Sequence, residues 1–153
     1  MTTITLEPAD QPEAIRLIDE LDAYQKPLYP PECHFGIDIA ALSQPNVLFA
    51  VARDDEGDAI GCGAVVLNAE YGELKRMFTV PACRGQGVAQ ALLAFLEQVA
   101  IEQGCTHVAL ETGIYQDQAL TFYERAGYAR RGPFGDYPDD PFSVFMDKRL
   151  VPG

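Results

Sequence analysis

The sequence predicts a single α/β domain in which a mixed central sheet of about six or seven strands is flanked by about four helices. Several short segments alternate polar and apolar residues or are continuously apolar, which is typical of strands. Longer segments carry apolar residues at helical spacing. Short turns join some strands and helical segments join others, so one sheet combines antiparallel hairpins with parallel crossovers.

The first half of the chain supplies a strand, two helices and a hairpin. Pro8 ends the alternating segment "TITLEP" and with it the first strand. The segment "PEAIRLIDELDAY" has helical spacing and follows Asp10, which can cap a helix. Prolines interrupt the chain before "IDIAAL", a short second helix. The apolar segments "VLFAVARD" and "AIGCGAVVLN" flank the turn "DEGD" and predict a β-hairpin.

The second half begins with a strand in "GELKRMFTV", which Pro81 stops. The most regular helical pattern follows, because apolar residues repeat on one face from Val88 to Ala100 and Gly104 supplies the stop. A strand in "HVALET", a helix in "DQALTFYERA" and one or two final strands, including "FSVFMDKRL", complete the order. Residues 1–153 are expected to form one domain.

Composition argues against several classes of function. The net charge of −12 disfavours a nucleic-acid partner, and it suits either a cationic substrate or solubility alone. No apolar run approaches the roughly 18 to 20 residues of a membrane span, and the N-terminus lacks a signal-peptide pattern. The four cysteines show no CxxC spacing, so neither a disulfide framework nor a metal site is expected. We therefore expect a cytoplasmic protein that does not bind membranes.

The glycine-rich turn "RGQGVA", residues 84 to 89, gives the strongest indication of function. Gly85 and Gly87 allow positive φ and close approach of a ligand to the backbone. The first amides of the following helix lack intrahelical partners, so they favour a phosphate or pyrophosphate. A turn without any ligand is the alternative. The ending Gly-Val-Ala does not fit a P-loop, and the absence of a third glycine does not fit a dinucleotide fingerprint.

These residues resemble the R/Q-x-x-G-x-G/A signature of the GCN5-related N-acetyltransferase (GNAT) superfamily. The segments "ETG" and "ALTFYERAGY" are similar to later motifs of that family, and the order of predicted elements agrees from Thr3 to Leu150. The chain departs mildly from the pattern at Gln116, where asparagine is commoner. The resemblance implies acetyl-CoA as donor, a small amine as acceptor, and direct attack within a ternary complex.

The resemblance also implies which residues bind the donor. The pantetheine arm would lie along the strand before the loop, where the N–H of Phe78 is the expected donor to the oxyanion. The pyrophosphate would lie at the loop, with Arg84 close by. The expected donor-binding residues are Met77, Phe78, Thr79, Val80, Arg84, Gly85, Gln86, Gly87, Val88, Ala89, Gln90, Gln116 and Tyr123.

Two residues are catalytic candidates. Tyr123 matches the tyrosine of the family's "FY" pair and is expected to protonate the departing thiolate, the alternative being a core tyrosine. Glu73 lies where several relatives carry a base-like glutamate. Strand alternation puts Lys75 on the same face, however, and an ion pair would weaken Glu73 as a base. A paired surface glutamate or a water chain is therefore the alternative.

The acceptor site is less determined. Lys75 or Arg76 is expected to meet an anionic group on the acceptor, unless both merely discourage aggregation at a sheet edge. His34 and Thr112 are further candidates for the acceptor pocket. The acidic loop at residues 136–140 would instead suit a cationic acceptor. A homodimer formed through the C-terminal strand, a protein or peptide acceptor, and a non-catalytic acyl-CoA sensor are alternatives left open.

Overall fold

The computed structural model describes residues 2–30 and 38–150 and confirms the predicted α/β class with a mixed sheet. Its elements are β1 (Thr3–Leu6), α1 (Pro12–Gln25), α2 (Ile39–Leu42), β2 (Val47–Arg53), β3 (Ala59–Leu67), β4 (Gly72–Thr79), α3 (Val88–Glu102), β5 (His107–Gly113), α4 (Asp117–Arg125), β6 (Ala129–Arg131) and β7 (Ser143–Arg149). Within the described ranges no helix has the length and hydropathy to span a bilayer.

All seven strands form one sheet in the order β1-β2-β3-β4-β5-β7-β6. Neighbouring strands are antiparallel except for β4 and β5, which are parallel because helix α3 carries the chain back across the sheet between them. Strand β4 is therefore interior. Its pairing with β5 ends at Leu74, however, so Lys75 and Arg76 lie beyond it, and the interpretation of them as charges that protect a sheet edge stays open.

Strands β4 and β5 separate at the end where the candidate site lies. Their pairing joins Gly72–Leu74 to Val108–Leu110 and stops there, whereas β4 continues to Thr79 and β5 to Gly113. The register of β3 with β4 also shifts between Cys62 and Ala64, opposite Arg76, whose φ is +59°. This bulge bends β4, and a wedge-shaped opening lies between the two strands.

Helices cover both faces of the sheet. Helices α3 and α4 pack one face through buried residues such as Leu92, Leu96 and Leu120. Helices α1 and α2 pack the other through residues such as Leu17 and Leu42. Alternating strand residues reach both cores, which is the two-sided burial expected of a central sheet. The rigid layers hold the opening between β4 and β5 in place.

The C-terminal strand β7 is paired with a neighbouring strand on both of its edges over part of its length. Strand β7 pairs with β5 on one side, and β6 pairs with Phe145–Asp147 on the other. The backbone edge expected to join two copies through "FSVFMDKRL" is therefore occupied at these three positions.

Candidate active site

A cavity of about 470 Å³ fills the opening between β4 and β5 and extends under α1 and α4. We call it the cleft. Its volume falls within the range of small-molecule sites. The sequence singled out six residues that line it: Lys75, Arg76, Met77, Thr112, Gln116 and Tyr123. Residue His34 lies outside the described ranges.

The glycine-rich turn presents unpaired amides at the start of α3. Gly85 and Gly87 have φ values of +80° and +82°, the left-handed region that glycine alone enters readily. The first intrahelical bond runs from the N–H of Ala91 to the carbonyl of Gly87, at 3.0 Å. In the described part of the chain, the N–H groups from Gly87 to Gln90 donate to no protein acceptor. The turn can therefore accept an anion.

Arg84 lies beside this turn and is exposed. Its Nε donates to the carbonyl oxygen of Thr79 at 3.2 Å, and its guanidinium carbon lies 5.9 Å from the ring centre of Phe78 and 5.8 Å from that of Tyr24. These contacts orient the guanidinium while leaving its charge at the surface, where it can attract an anion.

A second cavity of about 650 Å³ lies between α3 and α4. Gln90 lines it, together with Asp117, Phe122 and Arg125. Gln90 therefore lies beside this second cavity, whereas Tyr123 lies beside the cleft. Helix α4 separates the two cavities, since consecutive residues Phe122 and Tyr123 face different ones.

Tyr123 is buried yet lines the cleft. Its ring makes edge contacts with those of Phe122 and Tyr128, at centroid distances of 5.2 and 5.8 Å, and 8% of the residue is exposed. Burial raises the pKa of the phenol, so it keeps its proton at neutral pH and can donate it to a group in the cleft.

Glu73 belongs to a cluster beside the cleft. Its carboxylate accepts a hydrogen bond from the hydroxyl of Tyr137 and lies 3.2 Å from the Nζ of Lys75. Lys75 Nζ also donates to the Tyr137 hydroxyl at 2.6 Å. Burial and the neighbouring Glu73 raise the pKa of Tyr137. Glu73 itself does not line the cleft, so the structure separates it from Tyr123, the other catalytic candidate.

Arg76 is held by an ion pair that the sequence did not reveal. Its Nη1 lies 2.5 Å from Oδ1 of Asp22 on α1, and only 9% of its side chain is exposed. Arg76 also has a left-handed backbone conformation, at the bulge in β4. The pair joins α1 to β4, so Arg76 is not turned toward bulk solvent.

Glu111 is a cleft residue that the sequence reasoning missed. It lies on β5, partly buried, and its Oε2 accepts a hydrogen bond from the Ser143 hydroxyl at 2.8 Å. Burial raises the pKa of its carboxyl, with the Ser143 contact and Lys75 opposing the shift. The available signal was a carboxylate directly after the apolar run Val108–Leu110 of a strand, where an unneeded charge would be costly.

Aromatic rings line part of the cleft. The Tyr29 ring stacks on Tyr115 at 5.6 Å and meets Phe142 edge-on at 6.4 Å. The Tyr115 N–H donates to the Tyr29 hydroxyl at 3.2 Å. A Cβ at Gly113 would lie 1.7 Å from that hydroxyl, so glycine is required for the ring to pack on β5.

The backbone of β4 turns alternate N–H groups toward opposite neighbours. The N–H of Val80 donates to Ile60 at 2.9 Å as the ladder with β3 continues. Residues two apart face the same side, so the Phe78 N–H also faces β3. The N–H of Met77 faces the cleft instead. This register does not favour Phe78 as the donor to the oxyanion, a role that stays a prediction.

No group of three or more His, Cys, Asp or Glu side chains in the described ranges is arranged to hold a metal ion. The side chains and backbone that line the cleft supply phenol, carboxylate, ammonium and amide groups.

Comparison with known proteins gives a consistent result. The model of the acetyltransferase (GNAT) family matches residues 11–128. The IAA acetyltransferase of Azospirillum brasilense is 43% identical, over 97% of each chain. The crystal structure of a Klebsiella pneumoniae protein assigned as an acyl-CoA N-acyltransferase is 40% identical, with a TM-score of 0.85 over 99% of each chain.

A more distant structure shares the fold alone. PaiA N-acetyltransferase of Thermoplasma acidophilum, solved in complex with coenzyme A, is 16% identical with a TM-score of 0.74, covering 97% of this chain and 99% of its own.

Proposed function

The chain belongs to the GNAT family of acetyltransferases, and from that premise we propose that it transfers the acetyl group of acetyl-CoA to the amine of a small molecule. The amine attacks the thioester directly in a ternary complex. The observation that carries the proposal is the opening between β4 and β5, with unpaired strand on one side and the Tyr123 phenol beside it.

The donor is proposed to enter along β4. The strand continues past its last pair with β5 at Leu74, so the cleft-facing backbone of Met77 and Thr79 can pair with an amide-containing arm as a further strand would. The amides from Gly87 to Gln90 and the nearby Arg84 receive the diphosphate. Gln116, at the start of α4 and on the cleft wall, contacts the same arm.

Two groups are proposed to act on the reacting atoms. The N–H of Met77 donates to the carbonyl oxygen as negative charge develops there during attack. The Tyr123 hydroxyl gives its proton to the sulfur as the carbon–sulfur bond breaks. A thiol has a pKa of about 8.5, well below that of a buried phenol. Transfer to a free thiolate would therefore be uphill, so Tyr123 is proposed to give its proton while the carbon–sulfur bond breaks, and the phenolate then takes a proton from solvent.

The amine must lose a proton before it attacks. A primary amine with a pKa of about 10.4 is neutral in only about one molecule in 2,500 at pH 7, which costs about 4.6 kcal/mol. Glu73 is already bound by Lys75 and Tyr137 and stands outside the cleft. This favours a solvent path for the proton over direct transfer to Glu73. Thr112 lines the acceptor half and is proposed to contact the substrate there.

Three further features belong to this proposal. The reaction takes place in the cytoplasm, since four cysteines without paired spacing suit a reducing compartment. Residues 1–153 act as one domain. Any homodimer uses a surface other than the middle of β7, where β6 already pairs.

An assay of thiol release tests the proposal. Purified protein is mixed with acetyl-CoA and a panel of small amines, and free thiol is followed by its reaction with a chromogenic disulfide. The mass of the product must exceed that of the amine by one acetyl group.

The competing functions give different results. A non-catalytic sensor binds CoA in calorimetry without turnover on any amine. A peptide acetyltransferase acts on peptides while small amines stay unmodified. Binding of ATP in preference to CoA would refute the donor assignment.

A further inference from the structure

The charges of the cleft indicate which amines it accepts. We propose that the acceptor is a primary amine without a carboxylate, that Glu111 binds it as the ammonium ion, and that the ammonium then loses a proton to solvent before the amine attacks. The inference rests on the proposed acetyl transfer and names the acceptor class for that same site.

The two basic side chains of β4 that line the cleft already have carboxylate partners. Arg76 is 2.5 Å from Asp22 and is largely buried. Asp22 therefore already balances the charge of Arg76, and a carboxylate on the acceptor would add a second negative charge beside it. Like charges brought together in this way disfavour such an acceptor.

Lys75 is similarly engaged. Its Nζ lies 3.2 Å from Glu73 and 2.6 Å from the Tyr137 hydroxyl, and 14% of its side chain is exposed. Its ammonium also lies 5.3 Å from the centre of the Tyr137 ring. Both cations that the sequence suggested for an anionic acceptor are thus neutralised by the protein itself.

Glu111 is a partly buried carboxylate of the cleft that retains capacity for a ligand. A carboxylate can accept about four hydrogen bonds, whereas Glu111 accepts one from Ser143 within the described residues. The Lys75 ammonium acts on Glu111 through space but directs its short contacts to Glu73 and Tyr137. A bound ammonium would supply the close cation that a partly buried carboxylate otherwise lacks.

Part of the remaining wall suits an apolar acceptor body, although Lys26 and Asp19 also line the cleft. The rings of Tyr29, Tyr137 and Phe142 line the cleft together with Leu110. Aromatic faces bind flat apolar groups and also attract ammonium groups. An acceptor with an aryl or alkyl body and a single terminal amine matches these walls and the Glu111 carboxylate.

Matched pairs of compounds test the inference without any mutation. Tyramine and tyrosine, tryptamine and tryptophan, and cadaverine and lysine differ only by one carboxylate. We expect kcat/KM for the preferred amine to exceed that for its amino acid by at least about 100-fold, since misplaced like charges cost several kcal/mol. An amino acid acetylated as efficiently as its amine would overturn the inference.

The variant Glu111→Gln then tests the residue. It keeps an oxygen for Ser143 and removes the charge. We expect KM for the amine to rise about 10-fold or more, with little change in kcat or in the CoA dissociation constant, and the amine preference to shrink. Glu20→Gln is the control, because Glu20 is exposed on α1 outside the cleft; it should stay within about twofold of the parent.

The outcomes separate the two proposals. Unchanged discrimination in Glu111→Gln, with CoA binding intact, would remove Glu111 from acceptor recognition. A carboxylate-bearing substrate found in the wider amine panel would overturn the acceptor class and leave acetyl transfer standing. Failure of every amine to react, although CoA binds, would refute the acetyl transfer itself.

Discussion

Replacing Gly87 by alanine isolates the contribution of the turn to donor binding. A Cβ at Gly87 would meet no atom within 4 Å, so the substitution introduces no clash in the free protein. Its cost comes from the backbone, because φ is +82° and alanine is disfavoured in that region by roughly 1 to 2 kcal/mol. Loss of unfolded-state entropy offsets about 0.4 to 1 kcal/mol of this. The expected net destabilisation is about 1 kcal/mol.

The donor site should suffer more than the fold. The added methyl group occupies the space from which a diphosphate would approach the amides of Gly87 and Val88. We expect the CoA dissociation constant to rise at least about tenfold, or about 1.4 kcal/mol. Calorimetric titration with CoA measures the affinity. Thermal unfolding, in which about 1 kcal/mol corresponds to roughly 2 to 4 °C for a chain of this length, measures the stability.

Gly104→Ala is a matched control. Gly104 follows the end of α3 and has φ of +85°, and a Cβ there would likewise meet no atom within 4 Å. Its N–H donates to Ile101 in the C-terminal cap, at the opposite end of the helix from the turn. Both variants should lose similar stability, and only Gly87→Ala should lose CoA affinity. Equal CoA binding by the two variants would refute the assignment of the turn.

Three other substitutions give separate tests. Tyr123→Phe should lower kcat about 100-fold or more through loss of the general acid while CoA affinity holds; an unchanged kcat would remove Tyr123 from the mechanism. Glu73→Gln should lower kcat less than about tenfold, because the Glu73 carboxylate already forms an ion pair with Lys75. A loss of kcat as large as that of Tyr123→Phe would instead identify Glu73 as the base. Arg53 lowers the pKa of Glu7 from 4.5 to about 2, so the pair stabilises the fold above pH 4.5 and that stability is lost as pH falls toward 2. Glu7→Gln should therefore lower the free energy of unfolding at pH 7 by about 1 to 2 kcal/mol after allowance for solvent screening, and denaturant titrations should show the difference vanishing near pH 2.

Most of the sheet was predictable because its signals are local. Pro8, Pro81 and the turn "DEGD" mark strand ends through backbone geometry, and the apolar face from Val88 to Ala100 marks α3. Strand β6 lacked such a signal. It is three residues long, its side chains are exposed, and pairing with β7 is what makes it a strand. The turn at Gly87 was also predictable, since its conformation depends on consecutive backbone atoms.

The cleft depended on contacts between distant parts of the chain. Arg76 meets Asp22 across 54 positions, and Tyr137 meets Glu73 across 64. No pattern within a strand predicts such partners, although strand alternation did predict the pair of Lys75 with Glu73. The contact with Asp22 changes Arg76 from a free cation to a paired one. Glu111 became a candidate only once β5 was seen to leave β4 at Leu110 and to line the opening with it.

The sequence by itself therefore determined the turn that we propose as the donor site, because glycine conformation and helix-end amides are properties of neighbouring residues. The tertiary structure decided the proposed acceptor half, because the charge that a ligand meets there depends on which ionised groups are already paired. That pairing arises only when α1, β4 and the loop before β7 come together.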